Sequence, residues 1–344
     1  MSMVSLRPVG IALIVGCSLA MTPQILTGQT MSSEQLKEAT VPSPPRPQSI
    51  NPDKTQIQKA QLEDYVAMLD GIPLTAPAKP KAARRVLVYC HAAGFVHSSI
   101  PLAAETVKAM GEKTGAYTAT ITYDPADITA ENLAKYDALF LDSTTLNFLD
   151  DPKDEAVTTA RKKALLDFVR GGKGLVGLHA AGDSYHTSPK RGSNEAIVGT
   201  WQEFDTMIGG YFKFHWLYPQ VVTVKIDDPK SPLTAMFKGP FQVHDEIYTF
   251  VQDSFSRKNV HVLTSVDYSK MTDADKAKES PATKRTDGDY ALSWIRHEGK
   301  GRVFYEALGH SEHIYAMTPI MTQLLAGIQY ALGDLPADDK PSVK

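Results

Sequence analysis

From Arg85 onward, short β-rich runs alternate with helical segments, and this alternation leaves few architectures open to the chain. Arg85–Cys90 reads as a buried strand. A helix follows from Pro101 to about Lys113, with proline in the first turn, where its missing N–H costs nothing. Tyr117–Tyr123 and Tyr136–Asp142 read as further strands. A long helix from Asp154 to Arg170 stops at Gly171-Gly172, and Gly174–His179 is a fourth strand that runs into small residues. Strands alternating with helices predict a three-layer, doubly wound, mostly parallel α/β sheet covered on both faces. Ligands of such sheets sit outside the carboxyl ends of the strands. The second half is richer in strands: Gln220–Ile226, Asp245–Val251, Val260–Val266, Tyr290–His297 and Arg302–Ala307, then a closing helix from Thr318 to Leu332. No linker-like composition separates the halves, so these predict added antiparallel strands on the same core.

The remainder divides by composition. Arg7 precedes an apolar run from Val9 to Met21, too short to span a bilayer but right for the apolar centre of a signal peptide. Ser18-Leu19-Ala20 offers a cleavage site. Residues 1–29 are therefore expected to be a signal peptide and the protein periplasmic or secreted. Ile14–Cys17 also resembles a lipobox, which would place a lipid anchor on Cys17; the apolar stretch continuing to Leu26 counts against it. Residues 30–84 form a proline-rich linker with one short amphipathic helix, Gln56–Leu69, whose docking face is Leu62, Val66 and Leu69. Residues 85–334 form the folded domain and 335–344 a polar tail. No membrane span is expected. The net charge of −3 and the lack of a basic run argue against nucleic acid. With Cys17 and Cys90 as the two cysteines, a disulfide scaffold and a cysteine zinc cluster are excluded.

The histidines fall at the junctions. Gly177-Leu-His-Ala-Ala181 describes a nucleophile elbow that presents His179 above the sheet; a histidine buried at a strand end and bonded to backbone fits equally well. His91 and His97 follow the first strand, His215 follows a glycine-terminated helix, and His310 and His313 follow the last strand. Asp245-Glu246 supplies an acidic pair. There is no His-Glu-x-x-His and no cysteine pair, so any site must be assembled from distant segments.

Phe95-Val-His97, Gly177–Asp183, Gly209–His215, Asp245–Tyr248 and Trp294…Gly299–His310 together resemble the ThuA-like (trehalose utilisation) family, over about Arg85 to Leu332. The resemblance implies a class I glutamine amidotransferase-like, flavodoxin-like fold and a role in the catabolism of oxidised (3-keto) glycosides, with a small-molecule carbohydrate as ligand. Amidotransferases hold a cysteine at the elbow, where this chain has His179, so glutamine hydrolysis is not expected, nor is a nucleotide cofactor. Imidazoles with a carboxylate suit a divalent metal ion. The candidate ligands are His97, His179, His215 and His310; for His97, His215 and His310 the resemblance is the main support. His179, Glu246 and Asp183 are the candidate catalytic groups, with Glu246 as acid/base or further ligand. Asp183 would orient His179 or cap the next turn. Tyr211, Trp216 and Tyr248 would stack on sugar or serve as core aromatics. His91, His186 and His313 have no assigned role, and His244, His261 and His297 read as structural. The expected function is a metal-assisted lyase or hydrolase on 3-keto glycosides. The alternatives are a non-catalytic sugar-binding protein of the envelope and a metal-independent sugar isomerase. Oligomeric state is left open.

Overall fold

The computed structural model describes Gln56 and residues 59–189, 195–280 and 284–342. The expected signal peptide, the lipidation site at Cys17 and the linker up to residue 55 lie outside the described residues.

The chain runs α1 (Leu62–Gly71), β1 (Arg85–Tyr89), α2 (Ile100–Thr114), β2 (Thr118–Thr122), α3 (Ala130–Leu133), β3 (Ala138–Asp142), β4 (Thr145–Leu146), α4 (Glu155–Arg170), β5 (Gly174–Leu178) and β6 (Asp183–Ser184). It continues with α5 (Gln202–Ile208), β7 (Phe212–Ile226), β8 (Phe241–Phe250), β9 (His261–Val266), α6 (Asp273–Lys276), β10 (Ala291–Glu298), β11 (Gly301–Glu306) and α7 (Thr318–Ala331). Local chemistry sets the helix ends. The Asp154 carboxylate accepts the free N–H groups of Ala156 and Val157 at the start of α4. Helix α2 takes Pro101 in its first turn and ends at Gly115, whose φ of 68° suits a residue without Cβ.

Nine strands form one sheet in the order β2-β1-β3-β5-β11-β10-β9-β7-β8. The first five are parallel and the run from β11 to β8 is antiparallel. Strands β3 and β5 are buried along their whole length, as expected of central parallel strands. Two glycines on β5 let helices approach it closely from either side. A Cβ on Gly174 would meet the carbonyl of Ala331 in α7, and one on Gly177 would meet Ile208 in α5. Three residues apart on a strand, they face opposite ways.

The segment before the sheet differs from its expected form. Helix α1 covers Leu62–Gly71 and leaves Leu62 and Val66 77% and 52% exposed. Of the expected face only Leu69 packs on the core, and the docked side is completed by Met68 and Gly71, continued by Ile72, against the turn Glu312–Ala316. A pattern with apolar residues around much of a short helix fixes no unique face, and the contact with that turn selects one. The residues after α1 are docked on the domain by hydrogen bonds. Ala78 exchanges two with the Gln329 side chain, and Arg84 reaches Asp334 with two of its nitrogens. The polar tail is held too, Ser342 bonding to Val260 and Val262 at the edge of β9.

Gly174→Ala is expected to cost about 1–3 kcal/mol, because the new methyl meets backbone that cannot move away cheaply. Gly239→Ala, which meets nothing within 4 Å, serves as the control and should leave the urea midpoint unchanged or slightly raised.

Candidate functional site

Three imidazoles and a carboxylate meet at the carboxyl ends of the parallel strands. His97 lies in the loop after β1, His179 directly after β5 and His310 just beyond β11. The hairpin of β7 and β8 adds Glu246 from outside the parallel half. All four residues are buried, and one ligand atom from each lies within 4.8 Å of the others. The rings meet edge to face, His97 to His179 at 4.9 Å and His97 to His310 at 5.1 Å between centroids.

His179 occupies the elbow with φ of 43°, a conformation rare for residues with a side chain. Two contacts hold it there. Tyr305 donates its hydroxyl to the His179 carbonyl, and His179 Nδ1 lies 2.8 Å from the Ala307 carbonyl oxygen. A carbonyl can only accept, so Nδ1 carries the proton and Nε2 turns a lone pair toward the cluster.

The loop bearing His310 hangs on Asp245. Its carboxylate accepts the backbone N–H groups of Gly309 (2.7 Å), His310 (3.3 Å) and Ser311 (3.1 Å) and the Ser311 hydroxyl (2.9 Å). Ser99 and Tyr315 donate to the Gly309 carbonyl, so that peptide is gripped at both ends.

Glu246 gathers the rings. His310 Nδ1 stands 3.0 Å and His179 Nε2 3.5 Å from Oε2, while His215 Nδ1 stands 2.9 Å from Oε1. None of these contacts is a hydrogen bond in geometry. The buried Nδ1 of His97, Nε2 of His179 and both ring nitrogens of His310 have no hydrogen-bond partner among the described residues. Buried polar atoms are rarely left so. Several such atoms converging with a carboxylate form a donor set for a cation, and these residues fit a divalent metal ion. Burial raises the Glu246 carboxyl, but contact with three imidazoles outweighs it and holds the group well below the usual range. Burial, with the neighbouring His179 and His310, keeps His97 well below the usual imidazole value and therefore neutral. Burial lowers His310 as well, yet Glu246 brings it out raised.

The ThuA family, whose description is trehalose utilisation, matches residues 85–331. The chain belongs to the ThuA family. The resemblance read from its motifs is thereby borne out. Its fold is similar to that of a ThuA-like protein from Bacteroides uniformis, at 20% identity over 77% of this chain and 98% of that one, with a TM-score of 0.56. A ThuA-like protein from Parabacteroides merdae is also similar, at 16% identity over 74% and 92%, with a TM-score of 0.50. A comparison with curated proteins finds no match.

Within this ThuA domain the expected site residues divide. His97, His179, His310 and Glu246 form the buried group, and His215 touches Glu246 from its open side. Asp183 does not orient His179: it pairs with His186 Nε2 at 2.7 Å, and the Ala307 carbonyl takes the orienting role. Trp216 is fully buried and spends its indole N–H on the Asp275 carbonyl, so it has no face for a ligand. Tyr211 stacks on His186 with ring centroids 6.3 Å apart. Tyr248 is buried with its ring 4.3 Å from His179. Sequence reasoning missed the clamp of Asp245, although Asp245-Glu246 was in view, and it missed Tyr305 and Glu306 inside the motif ending at His310. Glu306 is buried, with Oε2 unpartnered and Oε1 accepting from Leu308 N–H, and burial pushes its carboxyl up to about 8.

Asp245→Ala would leave buried N–H groups unpaired and release the His310 loop. It is expected to cost about 3 kcal/mol or more in urea unfolding, against less than about 0.5 kcal/mol for the exposed Asp273→Ala. For Glu306, the native state holds its proton more tightly than the unfolded chain, so the native state loses stability as pH rises from about 4.5 to about 8. The neutral Glu306→Gln variant should escape that loss, gaining on the order of 3–5 kcal/mol on wild type between pH 4.5 and 8.5 in paired urea titrations. Parallel titration curves for the two proteins would refute it.

Proposed function

We propose that this chain is a metal-assisted lyase or hydrolase acting on oxidised (3-keto) glycosides. The observation that carries the reading is the buried group of His97, His179, His310 and Glu246, with ring nitrogens left unpartnered at the carboxyl ends of the strands. These four residues would hold the metal, and a divalent ion bound there would polarise a sugar carbonyl or activate a water. Glu246, strongly ionised among imidazoles, is a weak base and suits the role of ligand better than that of proton acceptor.

His215 is the better base. Its side chain is 31% exposed while Nδ1 is turned in toward Glu246, which leaves the other edge of the ring toward the open side. In a 3-keto glycoside the proton on C2 is acidified by the adjacent ketone. Transfer of that proton to His215 leaves its electron pair to form the C1–C2 double bond as the C1–O bond breaks. The departing oxygen keeps the bond pair and recovers the proton from the imidazolium. Addition of water across the double bond would complete a hydrolysis. A cysteine mechanism is disfavoured: Cys90 is fully buried, and burial beside Asp142 pushes its thiol up. A location outside the cytoplasm belongs to the same reading and rests on the apolar segment Val9–Met21.

Protein purified without chelator is expected to carry close to one divalent ion per chain by elemental analysis, and to turn over a 3-keto glycoside. Chelation should abolish that activity and metal should restore it. His179→Ala and His310→Ala should lower both metal content and kcat/KM by about a hundredfold or more. His215→Ala should keep the metal and lose about 10²–10⁴-fold in kcat. Absence of turnover across several keto glycosides, with and without metal, would rule the reading out.

A further inference from the structure

Asp205 of α5 is a buried carboxyl group that the reaction proposed above does not use. It is 2% exposed, and neither of its oxygens has a hydrogen-bond partner among the described residues. One oxygen rests against Gly199, where an added Cβ would stand 1.9 Å from it. Gly199 belongs to a short pairing of two segments. His186 and Gly199 form an isolated antiparallel bridge, the Thr187 N–H donates to the Val198 carbonyl at 2.8 Å, and the Thr200 N–H donates to the Tyr185 carbonyl at 2.6 Å. The Thr187 hydroxyl accepts the Val198 N–H at 2.9 Å.

His186 ties this pairing to its surroundings. Nε2 lies 2.7 Å from Asp183 Oδ1 and Nδ1 lies 2.8 Å from the Thr187 carbonyl oxygen, so both nitrogens face acceptors and the ring is held as an imidazolium. Burial lowers this imidazole, but the bond to Asp183 outweighs it and brings the group out raised. Asp183 from β6 and Asp205 from α5 are the charges that raise it, and Tyr211 is the titratable ring stacked on it. His186 is in turn the charge that acts on Asp205. Burial outweighs its pull and pushes the Asp205 carboxyl up to about 7. Lys162 of α4 stands over the neighbouring rings of Tyr185 and Trp201, at 4.6 and 5.4 Å.

We propose that the pairing of residues 185–187 with residues 198–200 is a proton-held clasp, closed over Asp205 in its acid form and opened when the carboxylate forms and takes up water. A carboxylate without donors in a site closed to water is costly, and Gly199 is what closes this one. On opening, the proton passes to solvent and the carboxylate gains the hydration that burial denied it. The closed clasp keeps the proton up to about pH 7, while the open one releases it at the ordinary carboxylate value of 3.8. Opening therefore becomes easier by about tenfold per pH unit between those values and levels off above them. The clasp lies one ring away from the histidine group. His186 packs on Phe212 at 5.7 Å, and Phe212 meets His215 at 5.5 Å and Tyr248 at 4.8 Å. Opening frees the His186 side of Phe212, whatever reaction the site performs.

Hydrogen exchange of the full chain, read at the Thr187 and Thr200 amides, tests the clasp. Between pH 5.5 and 7.5, after correction for intrinsic exchange, wild type is expected to lose protection at both amides by about twentyfold. Asp205→Asn keeps the shape of the side chain and cannot ionise, so its protection should stay level over the same range. The amides of β5 should remain more protected than either amide throughout, which marks the opening as local. If Asp205→Asn does not fold, a wild-type series from pH 4 to 9 decides, and the fall in protection must stop near pH 7. Protection independent of pH, a parallel fall in both proteins, a fall that continues unchanged to pH 9, or no protection at pH 5.5 would overturn the clasp.

Discussion

The site depends on one buried carboxylate that takes no part in the cluster itself. Asp245 has no exposed surface, and a charge so placed survives only when donors replace its lost hydration. Three backbone N–H groups and a hydroxyl do so, all from Gly309–Ser311. The bond works in both directions. It makes burial of the carboxylate tolerable, and it fixes a loop that would otherwise have several conformations open to it. Because Glu246 follows Asp245 directly, the strand that pins the His310 loop also delivers the carboxylate that His310 meets. The separation of those two groups is thus set by one peptide unit of β8 and one short loop.

The elements were legible because their signals are local. Strand composition, Pro101 in a first helical turn, a helix beginning at Asp154 and the glycine stop at Gly171 depend on neighbours a few residues away. Continuation of the parallel sheet into an antiparallel run was readable for the same reason, since no change of composition marks a boundary. The histidines at strand ends were legible from their positions directly after the expected strands, and the fold class marked those ends as the place for ligands. What was not legible is choice among partners. Asp183 is close in sequence to His179 and His186, and only the course of the chain through the turn His179–Gly182 decides that it meets His186. The orienting contact to His179 comes instead from a backbone carbonyl, Ala307, which no side-chain pattern could signal. Trp216 sits in a strand of alternating aromatic residues, so its burial against Asp275 depends on the packing of a distant turn.

Helix α1 illustrates the same limit from the side of packing. Its surface offers more than one apolar side, and burial of Met68 rather than Leu62 and Val66 follows from where the turn Glu312–Ala316 stands. That turn follows the His310 loop directly. The segment before the sheet is therefore part of the support of the site, tied down at a second point by Arg84 on Asp334.

The two halves of the sheet supply different parts of the site. The parallel half ends in loops at one edge, and its loops provide His97, His179 and His310, at the carboxyl end where open α/β sheets gather ligands. That half alone would bury three imidazoles with no counter-charge, and burial among them already holds His97 in its neutral form. The antiparallel half changes the balance. Its outermost hairpin, β7 with β8, reaches back over the strand ends and inserts Glu246 among the rings, with His215 on the open side of the carboxylate. The carboxylate reverses the effect of burial on His310, so the cluster is electrostatically divided: a neutral ring at His97 and an imidazole–carboxylate pair at His310 and Glu246. A set of this kind can exchange its proton for a cation with little movement of the side chains, because the same lone pairs serve either. The added antiparallel strands are thus what turns a row of histidines at strand ends into a donor set closed by a charge.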